Sequence, residues 1–227
     1  MSSDTTGGFA EQLRQTQERY RRRDLAESLS ALAVEMEETL LQRAFAAALF
    51  DAEFEIEPEA QAAVDDARGL LDEGSYASLD EKLDDVSTEV SAAKRRLENE
   101  VQPKRLDALN RVRAMQRLNE RVERVDPERL AAIETLLDDW NWRANVEVGA
   151  DDFEAALDDA ATVGDEFRGH SQELQDELFG PYRGTEVWPV VQRLLDDERL
   201  TYGDLSAEER ELLAESDLSA YVELSLS

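Results

Sequence analysis

The sequence predicts an all-α protein made of long antiparallel helical hairpins that form a coiled-coil bundle, with a small helical subdomain at the C-terminal end. Leucine and alanine together number 59 residues, against 17 for valine and isoleucine. Helices favour the first pair, whereas strands favour β-branched side chains. Apolar residues also recur at spacings of three and four, which is the helical period. The clearest such stripe is a heptad seam of Leu79, Leu83, Val86, Val90, Ala93 and Leu97.

The first two helices are marked by stripes and by a proline. Residues 1–8 are small and polar, and we expect them to form a disordered tail before a helical bundle over residues 9–184. An apolar stripe opens with Phe9, Leu13 and Tyr20 and runs on to Phe50. Pro58 suits the first turn of a second helix, and Gly74 marks its end.

The third and fourth helices carry the heptad seam and a capped start. We expect Pro103 to kink or restart the third helix, which the pattern extends to Val125. Asp126 then has the chemistry of an N-cap, and Pro127 that of a first helical residue. Turn signals between the helices favour hairpins over one continuous rod.

The fifth helix has a second seam, and the tail has shorter elements. Gly164 and Ser171 place small side chains in this seam, which allows another helix to approach closely or allows a bend. Residues 185–227 contain a short apolar helix and a capping box at Ser206 and Glu209, which predict the small C-terminal subdomain. The seam itself consists of Phe153, Leu157, Ala160, Gly164, Phe167, Ser171, Leu174 and Leu178.

The charge balance indicates adaptation to concentrated salt. Basic residues number 25 and acidic residues 54, for a net charge of −29, and only 3 of the basic residues are lysines. Carboxylates hold water and counter-ions densely, so this balance is typical of proteins from organisms that keep molar salt in the cytoplasm. A GC-rich genome also replaces lysine by arginine, but it does not explain −29. The polar N-terminus and the lack of a long apolar run predict a cytoplasmic protein with no membrane span.

The residue types present exclude several chemistries and favour a protein that is not an enzyme. With no cysteine there are no disulfides, thiolate sites or cysteine nucleophiles, and a single histidine excludes a multi-histidine metal site. His170 shares a helix face with Glu166 and Glu173, but a di-iron carboxylate bundle needs a histidine from each of two helices. Six acidic doublets are typical of solvated helix faces. We therefore expect no catalytic, metal or cofactor site.

One basic stretch is the candidate binding surface. Residues 93–125 contain 10 basic and 5 acidic side chains, whereas residues 57–92 contain 2 and 11. At about 100° per residue, four arginines fall within about 80° of one another, opposite an apolar face. This arginine ridge either neutralises neighbouring acidic helices or docks an acidic protein or a phosphate backbone. The predicted partner-binding residues are Arg113, Arg117, Arg121, Arg124 and Trp142.

These observations predict a non-enzymatic coiled-coil scaffold or adaptor that docks an acidic protein partner. Self-association as a homodimer is expected, because the two seams exceed what a short hairpin needs; the alternative is that they close within one chain. A second hypothesis is a nucleic-acid-associated accessory protein that uses the ridge at residues 111–124. It is weaker because the phosphate affinity of a basic patch falls steeply with salt.

Salt is expected to stabilise this fold. The Debye length falls to about 3 Å at 1 M salt, so the repulsion among 54 carboxylates is screened. The melting temperature, followed by circular dichroism from dilute buffer to multimolar KCl, should rise steeply. A flat or falling curve would contradict the adaptation to salt.

Overall fold

The computed structural model describes residues 5–56, 58–139, 153–196, 203, 205–216 and 218, and most of these residues are helical, with no strand among them. The all-α prediction is confirmed. The elements are α1 (Thr5–Phe50), α2 (Pro58–Asp72), α3 (Tyr76–Val122), α4 (Pro127–Asp139), α5 (Phe153–Phe179), a 3-10 turn (Gly180–Tyr182), α6 (Trp188–Asp196) and α7 (Ala207–Ala214).

The chain divides into two compact units, and the division falls inside α1 and α3. Unit 1 consists of Met1–Arg43 and Phe54–Asn99, and unit 2 of Ala44–Glu53 and Glu100–Ser227. The predicted boundary between residues 184 and 185 stays a prediction.

In unit 1, α1 and α3 are parallel. Arg21 pairs with Asp80, and Lys94 pairs with Glu35. Both pairs join residues that are 59 positions apart. Two helices keep one constant offset only when they run in the same direction with the same rise. The short helix α2 between them reverses the chain, so the third helix returns to the direction of the first. Two successive reversals, before and after α2, give this parallel direction, so it does not contradict the predicted hairpins, and the coiled-coil bundle stays a prediction.

The first heptad seam is buried within unit 1. Among its members only Leu83 is partly exposed, and α1 and α2 bury matching stripes of leucine, alanine and valine. The turn between α2 and α3 has Gly74 in the left-handed region at a φ of 73°, which glycine adopts at low cost. Because the seam faces the interior of a single chain, it offers no apolar stripe to a second copy.

Unit 2 combines the ends of α1 and α3 with the helices that follow. The side chain of Arg113 reaches both Glu134 and Asp138, and Gln116 reaches Glu134, so α4 runs antiparallel to α3. In the first turn of α4, Arg129 binds Glu177, which lies near the C-terminal end of α5. Buried residues of α3, α4, α5 and the C-terminal segments form one hydrophobic core.

Asn119 fixes the turn between α3 and α4. The helix ends at Val122, and Glu123 then adopts a φ of 48°. The buried amide Oδ1 of Asn119 accepts hydrogen bonds from the backbone N–H groups of Arg124 and Val125, both at 2.9 Å. Its Nδ2 donates to the Val125 carbonyl at 2.7 Å. One side chain thus satisfies three backbone groups that would otherwise be buried without partners, which is costly.

Several local predictions agree with these elements and two differ. The Asp126 carboxylate accepts from the Glu128 N–H at the start of α4, and the Ser206–Glu209 capping box is formed at α7. Helix α3 continues through Pro103, so the expected restart does not occur, whereas the alternative kink stays a prediction. Helix α1 begins at Thr5, within the segment assigned to the tail; residues 1–4 lie outside the described residues.

Gly164 is the point at which α5 meets the end of α1. A Cβ placed on Gly164 would lie 2.5 Å from the backbone oxygen of Phe45 and 2.9 Å from the Ala48 Cβ. Real Cβ atoms do not approach a backbone oxygen so closely, so only glycine allows this packing. The close approach predicted from the small seam residue is therefore present.

Two glycines of α5 make a matched pair for testing this packing. Gly164→Ala should destabilise the protein by about 1–3 kcal/mol, since the added methyl overpacks a backbone contact. Gly169→Ala should stabilise it by about 0.5–1 kcal/mol, because nothing lies within 4 Å of the added Cβ and alanine is the better helix former. Urea unfolding in molar salt measures both; equal effects of the two changes would contradict the close approach.

Candidate functional site

A basic helical arm, residues 12–24 of α1, is the most exposed stretch of helix in unit 1. Every side chain in this arm is exposed. The arm contains five arginines and two acidic residues, so its net charge is +3 in a chain of net charge −29. A helix that is exposed all round lacks the buried stripe that normally holds a helix on a core.

The register between α1 and α3 explains this exposure. An offset of 59 residues places the start of α3, at Tyr76, beside residue 17 of α1. The part of the arm before residue 17 therefore extends past the N-terminal end of α3. The part of the arm after residue 17 has only the first turns of α3 beside it. Helix α2 does not cover the arm either, because Arg68 near its end pairs with Glu37, further along α1.

The arm has two distinct sides. Arg21 points to α3, where it pairs with Asp80 at 2.7 Å. At 100° per residue, the opposite half of the helix carries three arginines together with Tyr20, while Leu13 lies about 80° from Arg21, just outside that half. Leu13 is 47% exposed and Tyr20 is 64% exposed. The three arginines are Arg19, Arg22 and Arg23.

Only one arginine of this outward half has an ion pair among the described residues. Arg23 pairs with Glu27 one turn along α1, and this carboxylate raises the pKa of the Arg23 guanidinium. Arg19 and Arg22 have no carboxylate partner in the part of the chain that the structure describes. They lie three residues apart, so they project from neighbouring positions on one face.

Part of the predicted arginine ridge pairs with carboxylates inside unit 2. Arg113 hydrogen-bonds to Glu134 at 2.7 Å and contacts Asp138 at 3.4 Å. The apolar residues predicted to lie opposite, including Met115 and Leu118, are buried as expected. At Arg113 the ridge neutralises an acidic helix, which is one of the two roles that the sequence left open.

The other ridge residues do not form one continuous surface with Arg113. Arg124 lies beyond the end of α3; it donates to the Leu178 carbonyl at 3.0 Å and stacks over the Tyr182 ring at 4.7 Å. Arg117 and Arg121 are exposed on α3, and Arg121 has a partner within the protein. Trp142 lies outside the described residues. The partner-binding role assigned to these five residues stays a prediction.

Unit 2 also contains a cavity of about 250 Å³ between the end of α1 and helices α3, α4 and α5. Its floor is apolar and includes Met115, Ile133 and Phe167. Its polar side includes Lys104 and Arg168. The cavity thus combines an apolar interior with cationic side chains.

No cluster of acidic residues and histidine in the described part of the chain has an arrangement that could hold a metal ion. His170 is exposed on α5. Within the same described residues, no helix has both the length and the apolar character needed to cross a bilayer.

Comparison with protein-family models, with curated proteins and with solved structures gives no match to this chain. The candidate sites are therefore argued from this chain's own residues.

The sequence pattern missed the arm, although one signal for it was present. Leu13 and Tyr20 have the spacing of a core stripe, and they were interpreted as the beginning of one. The five arginines within thirteen residues were the signal, because such a charge run is typical of a solvated helix face. The pattern does not contain the register between the helices, which places only the first turns of α3 beside the arm among the described residues.

Acid should remove the contribution of Glu134 to stability. Hydrogen bonds from Arg113 and then Gln116 hold the pKa of the Glu134 carboxyl below its ordinary value. A carboxyl whose pKa is lower in the folded state stabilises the fold above its unfolded pKa of about 4.3, and this stabilisation is lost as the pH falls through the folded pKa. Glu134→Gln should therefore cost up to about 1 kcal/mol at pH 7 and nothing in strong acid.

Urea midpoints of both proteins from pH 7 to pH 2 measure this difference. Glu120→Gln removes the same charge from an exposed site on α3 that has no ion pair among the described residues, so it is the matched control. If the Glu134 and Glu120 variants differed from the parent by the same amount at every pH, the Arg113–Glu134 contact would contribute nothing.

Proposed function

We propose that the protein is a non-enzymatic coiled-coil scaffold of a salt-rich cytoplasm that docks an acidic protein through the basic arm. The acidic protein to which we assign the arm is a second copy of this chain. The observation that carries the proposal is the outward half of the arm, where Arg19, Arg22 and exposed Tyr20 lie. Exposed Leu13 lies at the edge of this half, two turns before Tyr20.

Charge complementarity favours a second copy. The arm has a net charge of +3, whereas residues 57–92 of the same unit have 11 acidic and 2 basic side chains. Two arms would repel each other, but an arm on the acidic surface of another copy is attracted to it. In a twofold dimer each copy contributes one arm and one acidic surface, so the contact is made twice.

The apolar residues of the arm matter because charge alone is weak in concentrated salt. At about 1 M salt, charges interact over only about 3 Å, so only ion pairs in direct contact contribute. Tyrosine and arginine are the residue types most enriched at the energetic centre of protein interfaces. The arm offers both on its outward half, and Leu13 adds apolar area at the edge of that half, on the Tyr20 side.

The alternative function, nucleic-acid binding through the arginine ridge, has less support. A phosphate at Arg113 would lie beside the carboxylates of Glu134 and Asp138. Arg124 is engaged by a backbone carbonyl and an aromatic ring. Arg19 and Arg22 of the arm have no neighbouring carboxylate partner and no such internal contact among the described residues. The arm is therefore the better candidate for binding an acidic protein or a nucleic acid.

Light scattering at several protein concentrations in 2 M KCl tests the proposal. The full chain should have about twice the monomer mass of 25.6 kDa. Changing Arg19 and Arg22 to Gln should weaken dimerisation by about tenfold or more, and Tyr20→Ser should weaken it without a change of charge. Both variants should keep the parent's circular dichroism and melting temperature, because these side chains are exposed.

The control is Arg117→Gln with Arg121→Gln, which removes the same charge from exposed positions of the ridge. This variant should dimerise like the parent. A constant mass of 25.6 kDa for the parent would refute self-association. Loss of the dimer in the ridge variant alone would show that the interface lies at the ridge and not at the arm. Binding of duplex DNA at the same salt, lost with Arg19 and Arg22, would favour the nucleic-acid alternative.

A further inference from the structure

We propose that the cavity in unit 2 binds a small amphipathic carboxylate, a molecule with one anionic head and an unbranched apolar body. The site is independent of the basic arm, which lies in unit 1. It therefore adds a ligand-binding function to the proposed scaffold.

The floor of the cavity suits an apolar body. Val112 and Met115 of α3, Ile133 and Leu136 of α4 and Phe167 of α5 lie along it. Four of these five side chains are buried, and Phe167 is partly exposed. Water in such a place finds few hydrogen-bond partners, so replacing it by hydrocarbon is favourable.

The rim of the cavity suits an anionic head. Lys104 and Arg111 of α3 and Arg168 of α5 line it, with Asp51 as the one lining carboxylate. Asp165, which does not line the cavity, also contacts Arg168, so three cations and two carboxylates give a local charge of +1 in a chain whose net charge is −29. Lys104 is exposed and has no ion pair among the described residues. An anion is therefore attracted to this rim.

Arg168 is held in place before any ligand arrives. Its guanidinium contacts Asp51 at 2.9 Å and Asp165 at 2.6 Å. This position depends on Gly164 one turn earlier, where α5 comes close to the end of α1. A cation that is already ordered loses less conformational entropy when it binds an anion. Lys104 has no such anchors and is able to adjust to the head.

The size of the cavity limits the ligand. An apolar cavity of about 150 Å³ accepts benzene, and sites for drug-sized molecules start at about 300 Å³. A volume of about 250 Å³ lies between the two. Octanoate is a suitable probe, since it has an eight-carbon body and one carboxylate, and 1-octanol is the same body without the charge.

The chain contains only two isoleucines, which makes the binding test specific. Ile133 lines the cavity, whereas Ile56 lies in unit 1. In methyl-labelled protein in 2 M KCl, octanoate below its micellar concentration should shift the Ile133 methyl signal in a saturable way. The Ile56 signal should stay unchanged. Affinity for 1-octanol should be lower, because its hydroxyl gains less from the cationic rim.

Two variants separate the head from the body. Lys104→Gln should weaken octanoate binding by about five- to tenfold and leave 1-octanol binding unchanged. Arg117→Gln removes the same charge from an exposed position of α3 that does not line the cavity, and it should change neither. Ala108→Phe should fill the cavity and abolish binding of both probes; Ala108→Leu replaces it if the larger side chain prevents folding.

Three results would overturn the proposal. The first is an Ile133 signal that does not respond to octanoate. The second is equal binding of octanoate by the parent and the Lys104 variant. The third is unaltered binding in a folded variant whose cavity is filled. None of these outcomes bears on the dimer, since the arm variants and the cavity variants lie in different units.

Discussion

The excess of carboxylates over cations is the constraint on which the surface of this protein depends. Acidic residues outnumber basic ones by 54 to 25, and many cations of the described residues pair with a carboxylate. Arg113 binds two acidic residues of α4, and Arg129 binds Glu177 of α5. Such pairs connect the helices within a unit, although each exposed pair contributes little free energy. A cation is available to a partner where the fold places it out of reach of the protein's own carboxylates.

Helix register and helix length decide where that happens. Because α2 is short and α3 starts beside residue 17 of α1, the turns of α1 before residue 17 have no long helix next to them among the described residues. Five arginines fall on this part of the chain. In unit 2 the determining contact is the approach of α5 to the end of α1 at Gly164, which sets the position of Arg168 at the cavity rim. Both candidate sites therefore follow from how neighbouring helices are aligned.

The sequence predicted the elements better than their arrangement. Leu79–Leu97, Pro127 and Ser206 marked real helices, since periodicity and capping are local properties. The offset of α1 against α3 is not local, so the pattern did not contain it, and the coiled-coil bundle stays a prediction. For the same reason the exposure of Leu13 and Tyr20 was missed: an apolar spacing says which face a residue occupies, not whether another helix covers it.

Both candidate sites combine cations with apolar surface, and the expected high salt gives this combination its significance. Long-range attraction disappears when the Debye length is about 3 Å, so a purely charged patch distinguishes poorly between an anion and the surrounding chloride. Burial of apolar area does not weaken in the same way, because salts excluded from apolar surface strengthen it. Leu13 and Tyr20 would then supply affinity on the arm, and the floor around Met115 would supply it in the cavity. The adjacent cations act only at contact distance, where they select carboxylates over neutral groups of the same shape.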